Sequence, residues 1–293
     1  RGGDLTMSVL QNKIDFAVVL SVTKANPNGD PLNGNRPRQN YDGYGEISDV
    51  AIKRKIRNRL IDMGENVFVH SNDKRTDEFK SLRERAENNE ALKGVLKDKN
   101  KTDEEFAKEA CQEWIDVRAF GQVFAFKKGS GTKGVSVGIR GPVSIHTATS
   151  VDPIDIHSMQ ITKSVNTEPG DKKGSDTMGM KHRVDFGVYV FYGSINTQLA
   201  EKTGFTREDA EKIKEALVTL FENDASSARP EGSMEVHKVY WWEHNNKMGQ
   251  YSSAKVHRSL KVESKEDEPK SFDDYTITLE ELEGLKVEVI DGR

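Results

Sequence analysis

Apolar positions along this chain follow two periods, and the change between them marks its elements. The run IDFAVVLSV, Ile14 to Val22, is dense in β-branched residues and predicts a buried strand. Asn26 to Gly45 follows, rich in Asn, Gly, Pro and Asp, the residues that tolerate tight turns and positive φ, and reads as a loop. Helical spacing then takes over through Ile52, Ile56, Leu60 and Met63, with Ser48 and Asp49 placed to cap the orphan amides. Asn66 to Val69 fits a short strand. Lys74 to Lys101 is charged and nearly free of large apolar residues, and predicts a helical excursion that never enters the core. Thr102 to Asp116 resumes a helix through Phe106, Ala110 and Trp114, and aromatics then alternate with small residues from Asp116 to Phe126.

The second half reads mostly as strands. Val135 to Ala148 predicts one strand carrying a bulge at Gly141–Pro142. Ile154 to Ser164 and His182 to Ile195 predict the arms of a long β-hairpin, with a polar tip between them. Arg207 to Glu222 is an amphipathic helix through Ile213, Ala216, Leu217, Leu220 and Phe221. Met234 to Trp242 is a strand whose alternation sends one of Trp241 and Trp242 inward and the other outward. Tyr275 to Ile290 supplies the last pieces. The order predicts an α+β protein built on a split βαβ, ferredoxin-like sheet.

Charge changes the picture more than composition does. At 293 residues, 34% hydrophobic and 31% charged, the chain should hold a modest core with long charged excursions. Its net charge of −4 hides segregation. Between Arg36 and Arg59 seven cations face only Asp42, Glu46 and Asp49, whereas Glu263 to Asp291 carries eleven acids against three lysines. A basic corner and an acidic end imply separate faces or head-to-tail contact between copies. Cys111 is the one cysteine, which excludes an intrachain disulfide and a cysteine-based zinc site. No apolar run approaches the roughly 20 residues of a bilayer span, so no membrane partner is expected. The residues before Met7 read as an appended remnant rather than a signal peptide, and the expected setting is cytoplasmic and reducing.

The basic corner is the candidate site. Asn26, Asn28, Gly34, Asn35, Arg36 and Arg38 combine donors and hinges in one loop, which lets backbone amides approach phosphates closely. On the following helix Lys53 and Arg57 stand one turn apart with Arg54 beside them. Met178 and Met180 flank Gly179 ahead of Lys181, His182 and Arg183, apolar wedges for stacked bases next to cations for phosphates. No enzyme constellation stands beside them. The seven histidines are scattered without metal-ligand spacing, and Gly129 to Gly134 lacks the spacing of a P-loop. Asp152, Asp155, Asp176 and Asp185 flank the hairpin without a second motif to complete a metal site. The residues thus describe a binder of single-stranded nucleic acid, with no catalytic group, metal or cofactor.

Five runs carry a family resemblance: NPNGDPLNGNRPR (Asn26–Arg38), SDVAIKRKIRN (Ser48–Asn58), DVRAFG (Asp116–Gly121), GPVSIH (Gly141–His146) and TMGMKH (Thr177–His182). They resemble, in order, the CRISPR-associated backbone subunit of Cascade surveillance complexes, the seventh Cas family, in its type I-C branch. The resemblance implies a single modified RNA-recognition-type domain over residues 7–293, an RRM-like palm with a charged helical finger insertion at 70–113 and a β-hairpin thumb at 160–184. It implies copies stacked head to tail along one CRISPR RNA among other Cascade subunits, with a target DNA strand paired to the guide. Carried over by motif, Asn26 to Arg38 would contact phosphates, Lys53 and Arg57 would grip the backbone, Arg118 within DVRAFG would join the RNA-binding residues, and Gly179 to His182 belong to the thumb. Such subunits are generally not nucleases. A loop aspartate cuts RNA in related RNA-targeting complexes, which keeps Asp30 in view, and a metal-independent RNA-processing endonuclease of the same fold superfamily, with His182 as general acid–base, is the alternative.

Overall fold

The sheet grows outward from β1 (Ile14–Ala25), which is buried on both faces down to Val22. The computed structural model describes residues 8–163, 169 and 178–293. After β1 the loop folds into a small hairpin of β2 (Gly29–Asp30) and β3 (Arg36–Pro37), and β4 (Tyr44–Ile47) leads into α1 (Asp49–Asp62). Ser48 caps α1 as expected, its side chain accepting from Ala51 N–H, and Ile52, Ile56 and Leu60 are buried. Next come α2 (Leu82–Glu87), α3 (Glu90–Lys97), α4 (Asp103–Glu113), α5 (Ile115–Phe120), β5 (Gly121–Phe126) and β6 (Val135–Arg140). The chain returns through β7 (Val143–Ile145), β8 (Ala148–Pro153), β9 (Ile156–Thr162) and β10 (Met178–Ile195). It finishes with α6 (Thr197–Thr203), α7 (Arg207–Val218), β11 (Met234–Glu243), α8 (Ser253–Arg258), β12 (Leu260–Ser264), β13 (Tyr275–Leu279) and β14 (Val287–Asp291).

The main sheet runs β14-β11-β1-β10-β8-β4, with β7 and β9 also paired to β10, and its pairings are antiparallel. This is a mixed α+β protein around one large antiparallel sheet. Phe16, Val18, Leu20 and Val22 of β1 face α1 and α7 in the main core, while Ala17 and Val19 face the other way. That second face is covered by α8 and the β12–β13 hairpin, through Val256, Leu260 and Tyr275. Trp241 and Trp242 therefore do point to opposite faces, yet neither is exposed. Trp241 stacks on Phe16 at 5.6 Å, and Trp242 lies in the second layer beside Tyr240. The acidic end supplies the cover, because apolar residues alternate beneath its carboxylates; each large side chain so covered contributes roughly 1.5–3 kcal/mol.

Four other expectations change. The charged excursion stays out of the main core but builds its own, in which Leu92, Val95 and Leu96 pack with Phe68, Phe106, Trp114 and Phe124. Asn66 to Val69 is not a strand. The amides of Phe68 and Val69 donate to the Asp116 carboxylate at 2.7 and 3.0 Å instead of to a neighbouring chain. The segment from Asp116 to Phe126 divides into α5 and β5 at Gly121, which sits at φ +79°. Across from it the expected bulge at Gly141–Pro142 is a full break: β6 pairs with β5, and β7 joins the main sheet. A Cβ on Gly141 would stand 2.3 Å from Ala119 O, so the crossing needs glycine there.

The hairpin also has a different register. β9 pairs with Met178–Val184, Met178 opposite Thr162 and Val184 opposite Ile156, rather than with His182–Ile195. Gly187 onward is claimed by β1 on one side and by β8 and β7 on the other, since that stretch is apolar enough to be buried. Met178 and Met180 thus lie within a strand, 60% and 56% exposed. The predicted tip, including Asn166 to Asp176, lies outside the described residues apart from Pro169.

Candidate nucleic-acid interface

Antiparallel pairing brings three segments to one end of the sheet. β1 ends at Ala25, which sits opposite Val184 of β10, and Val22 sits opposite Met234 at the start of β11. The loop leaving β1, the base of the hairpin and the loop entering β11 must therefore meet. They do: Asn26 N–H donates to Ala228 O at 2.9 Å, and Lys181 Nζ donates to Ser227 O at 3.2 Å.

The loop asparagines hold shape. Asn26 Nδ2 donates to Asn35 O at 2.8 Å, and Asn28 Oδ1 accepts from Ser48 N–H at 2.8 Å, tying the loop to the start of α1. Gly34 and Asn35 occupy the left-handed region at φ +61° and +59°. Gly29 is confined by Asn35, whose side chain an added Cβ would overlap at 2.0 Å. Arg36 and Arg38 project from this frame, half-buried, and among the described residues no carboxylate lies within ion-pair distance of them, of Lys181 or of Arg183.

The helix cations are differently employed. Lys53 pairs with Asp49 at 3.7 Å and lies over the Phe120 ring. Arg54 donates to Val69 O at 2.7 Å; burial, and then the neighbouring Arg57, lowers its pKa. Arg57 donates to the buried Asp116 at 3.1 Å. Arg118 makes a two-pronged pair with Asp209 at 2.8 and 2.9 Å, on the seam between α5 and α7. His182 lies on the hairpin with Nδ1 2.7 Å from Ser158 Oγ, and Asp30 Oδ1 accepts from Leu32 N–H at 3.1 Å. Among the described residues no cluster of His, Cys, Asp and Glu is arranged to hold a metal.

Four cations at this corner escaped the sequence reading or its site assignment: Lys55, Lys74, Arg183 and Arg229. Lys55, Lys74 and Arg229 line, with Asn28, Arg54 and Asn58, a cleft of about 380 Å³ between the loop, α1 and the segment after α7. The sheet order was the signal that could have found them, because a strand entering beside β1 delivers its loop to the same end. Three larger clefts lie elsewhere. The groove of about 540 Å³ between α4, β6 and α6 carries three cations against two acids, one of about 620 Å³ near Asp152, Asp155 and Asp185 carries five acids against two lysines, and one of about 480 Å³ is lined by Lys13, Ser194 and Lys247 among others.

Buried polar atoms without partners concentrate at the basic corner. Eight such side-chain atoms occur among the described residues, and five belong here: Asn26 Oδ1, Asn58 Oδ1 and the Nε of Arg38, Arg183 and Arg229. Buried donors are ordinarily satisfied within the protein or by ordered water. A corner that leaves the Nε atoms of three arginines without a hydrogen bond is complementary to an oxyanion supplied from outside.

Known proteins resemble this chain over most of its length. The family model described as CRISPR-associated protein Cas7 matches residues 12–280. A curated relative from Haloferax volcanii, CRISPR-associated protein Cas7, is 26% identical over 234 residues, covering 74% of this chain and 66% of its own length. Among solved structures, a chain of a CRISPR RNA-guided surveillance complex described as pre-nicking has a TM-score of 0.47 at 16% identity, covering 82% of this chain and 83% of its own. A second chain of a CRISPR RNA-guided surveillance complex has a TM-score of 0.46 at 15% identity, covering 78% of this chain and 68% of its own.

Proposed function

This chain belongs to the Cas7 family of CRISPR-associated proteins, and on that premise we propose that it is the guide-binding backbone subunit of a type I-C Cascade surveillance complex, without catalytic activity of its own. The observation that supports the reading is the set of buried guanidinium Nε atoms at the corner, of Arg38, Arg183 and Arg229, that lack a hydrogen-bond partner and that a phosphate backbone would satisfy. The four central strands with α1 and α7 serve as an RRM-like palm, the lobe built from α2 to β6 as fingers, and the β9–β10 hairpin as thumb. Copies stack head to tail along the CRISPR RNA, in contact with other Cascade subunits, while a target DNA strand pairs with the guide. The protein reads backbone and shape, and base pairing reads sequence. Among the described residues no helix is long and apolar enough to cross a membrane.

The test is binding and integrity of RNA in one experiment. Labelled single-stranded RNA should bind with little dependence on its sequence, with affinity falling steeply as salt rises, and should remain uncut with or without divalent metal. Cleavage that disappears in His182→Ala would establish the endonuclease instead; cleavage that disappears in Asp30→Ala would establish the chemistry of the RNA-targeting relatives.

A further inference from the structure

Within the corner, one carboxylate occupies the place an RNA phosphate would take. Asp224 Oδ2 lies 2.5 Å from Lys55 Nζ and 3.9 Å from Arg229 Nε, on the wall of the 380 Å³ cleft. Lys55 is nearly buried, with 7% of its side chain exposed. Burial disfavours its charge and lowers its pKa, so an anion must accompany it. Arg229 is less well served: its Nε is buried and has no hydrogen-bond partner, because 3.9 Å is too long for one. Its backbone is fixed by a tight turn in which Ser226 N–H donates to Arg229 O and Arg229 N–H donates to Ser226 O, at 3.0 and 3.1 Å. Arg54 and Lys74 line the same cleft, and Asn58 adds an amide whose oxygen is also unpartnered. Asp73 lines the cleft as well, but Arg54 donates to Val69 O and Lys74 pairs with Asp62, so the donor left without a hydrogen bond beside Asp224 is Arg229 Nε.

We propose that this cleft takes one phosphodiester of a single-stranded RNA, and that Asp224 is an internal anion competing for the same two cations. In the free protein Asp224 keeps Lys55 charged and in place. When a phosphate arrives, its oxygens complete Arg229 and share Lys55, and the Asp224 carboxylate turns from partner to repelling neighbour. Its position in the loop between α7 and β11, with 15% of its side chain exposed, gives it a path toward solvent. The inference rests on the corner being the RNA-binding face, and it adds that this one carboxylate, by holding Lys55 and crowding Arg229, limits the affinity.

The measurement is the affinity of the whole protein for a fluorescein-labelled oligouridylate across a salt series, alongside the melting temperature. Asp224→Asn should bind roughly three- to tenfold more tightly at low salt, since a like charge beside the phosphate is gone. Its log–log salt slope should steepen by about 0.7, one further cation now shedding counterions onto the RNA. Arg229→Gln should weaken binding and flatten the slope by about the same amount. If Asp224→Asn alone fails to fold, neutralising Asp224 in a Lys55→Gln background, where no buried cation is left without its partner, must still tighten binding relative to Lys55→Gln alone. Folded Asp224→Asn protein that binds no better than the parent overturns the inference and leaves the RNA-binding reading intact. Parent protein with no salt-dependent affinity overturns both.

Discussion

Two regions of this molecule are rich in arginine and treat it in opposite ways. On the seam between the main core and the finger lobe, and within that lobe, three arginines are held by carboxylates. Arg57 meets Asp116, Arg118 meets Asp209, and Arg85 meets Asp77 at 2.7 and 2.9 Å. At the end of the sheet, Arg38, Arg183 and Arg229 each keep a buried Nε with no partner. Both groups raise the positive charge of the chain equally, yet only the second has bonding capacity to spare. Charge says that a protein can attract phosphate; the accounting of donors and acceptors says where.

The sharpest break of this comparison is at Asp116. Its carboxylate is fully buried, accepts from the amides of Phe68 and Val69, and pairs with Arg57. Asp116→Ala would strand two amides and a guanidinium at once, and is expected to cost about 3–5 kcal/mol of stability in denaturant titrations. Arg57 and Arg118, which the family motifs nominate as RNA contacts, should for the same reason reveal themselves first in stability. A mild Asp116→Ala would mean that the seam is not the framework its geometry describes.

The corner should respond the other way round. Arg38→Ala with Arg183→Ala removes no ion pair found among the described residues, and should leave stability within about 1 kcal/mol of the parent. RNA affinity should fall for all sequences alike, with the salt slope shallower by about 0.7 for each arginine removed. Stability loss without a change of slope would place these two side chains with the seam instead.

How much of this was legible beforehand follows from how local each signal is. α1 and α7 announce themselves through period, because one buried face imposes it on consecutive residues, and β1 through an unbroken apolar run, because both its faces are buried. The corner was visible in part, since Asn26 to Arg59 is one continuous stretch. Arg229 was not, for it lies in a Ser-, Pro- and Gly-containing loop, and only the sheet order places it beside Lys55. Nor could the sequence distinguish Arg57 and Arg118 from Arg38, because their carboxylate partners stand 59 and 91 residues away along the chain. The covering layer from α8 to β14 was hidden for a third reason. Between Glu263 and Asp291 eleven acids stand against nine apolar residues, although Tyr275, Leu282 and Leu285 all reach the core.

The smallest expected effect separates framework from corner by pH. His257 lies at the second face of the sheet with Nε2 2.9 Å from Gly193 O, near Asp15 and His146. His237 contacts Ser21 Oγ and stacks on Phe272, and His70 lies beside the finger lobe. In all three, burial lowers the pKa below its ordinary value of 6.5, outweighing the neighbouring carboxylates. At pH 7.5 these rings are mostly neutral in both folded and unfolded chains, so they add little to the pH dependence. As pH falls through about 6.5 the unfolded chain takes up protons that the folded chain does not, and stability is lost. A decrease from pH 7.5 to 5.5 should therefore lower Tm by about 2–6 °C. None of the three histidines lines the corner cleft. The Arg38→Ala, Arg183→Ala protein should consequently trace a curve of Tm against pH parallel to that of the parent. A flattened curve in that variant would show the corner arginines to be coupled to the titrating framework, and the contrast between the two regions would fail.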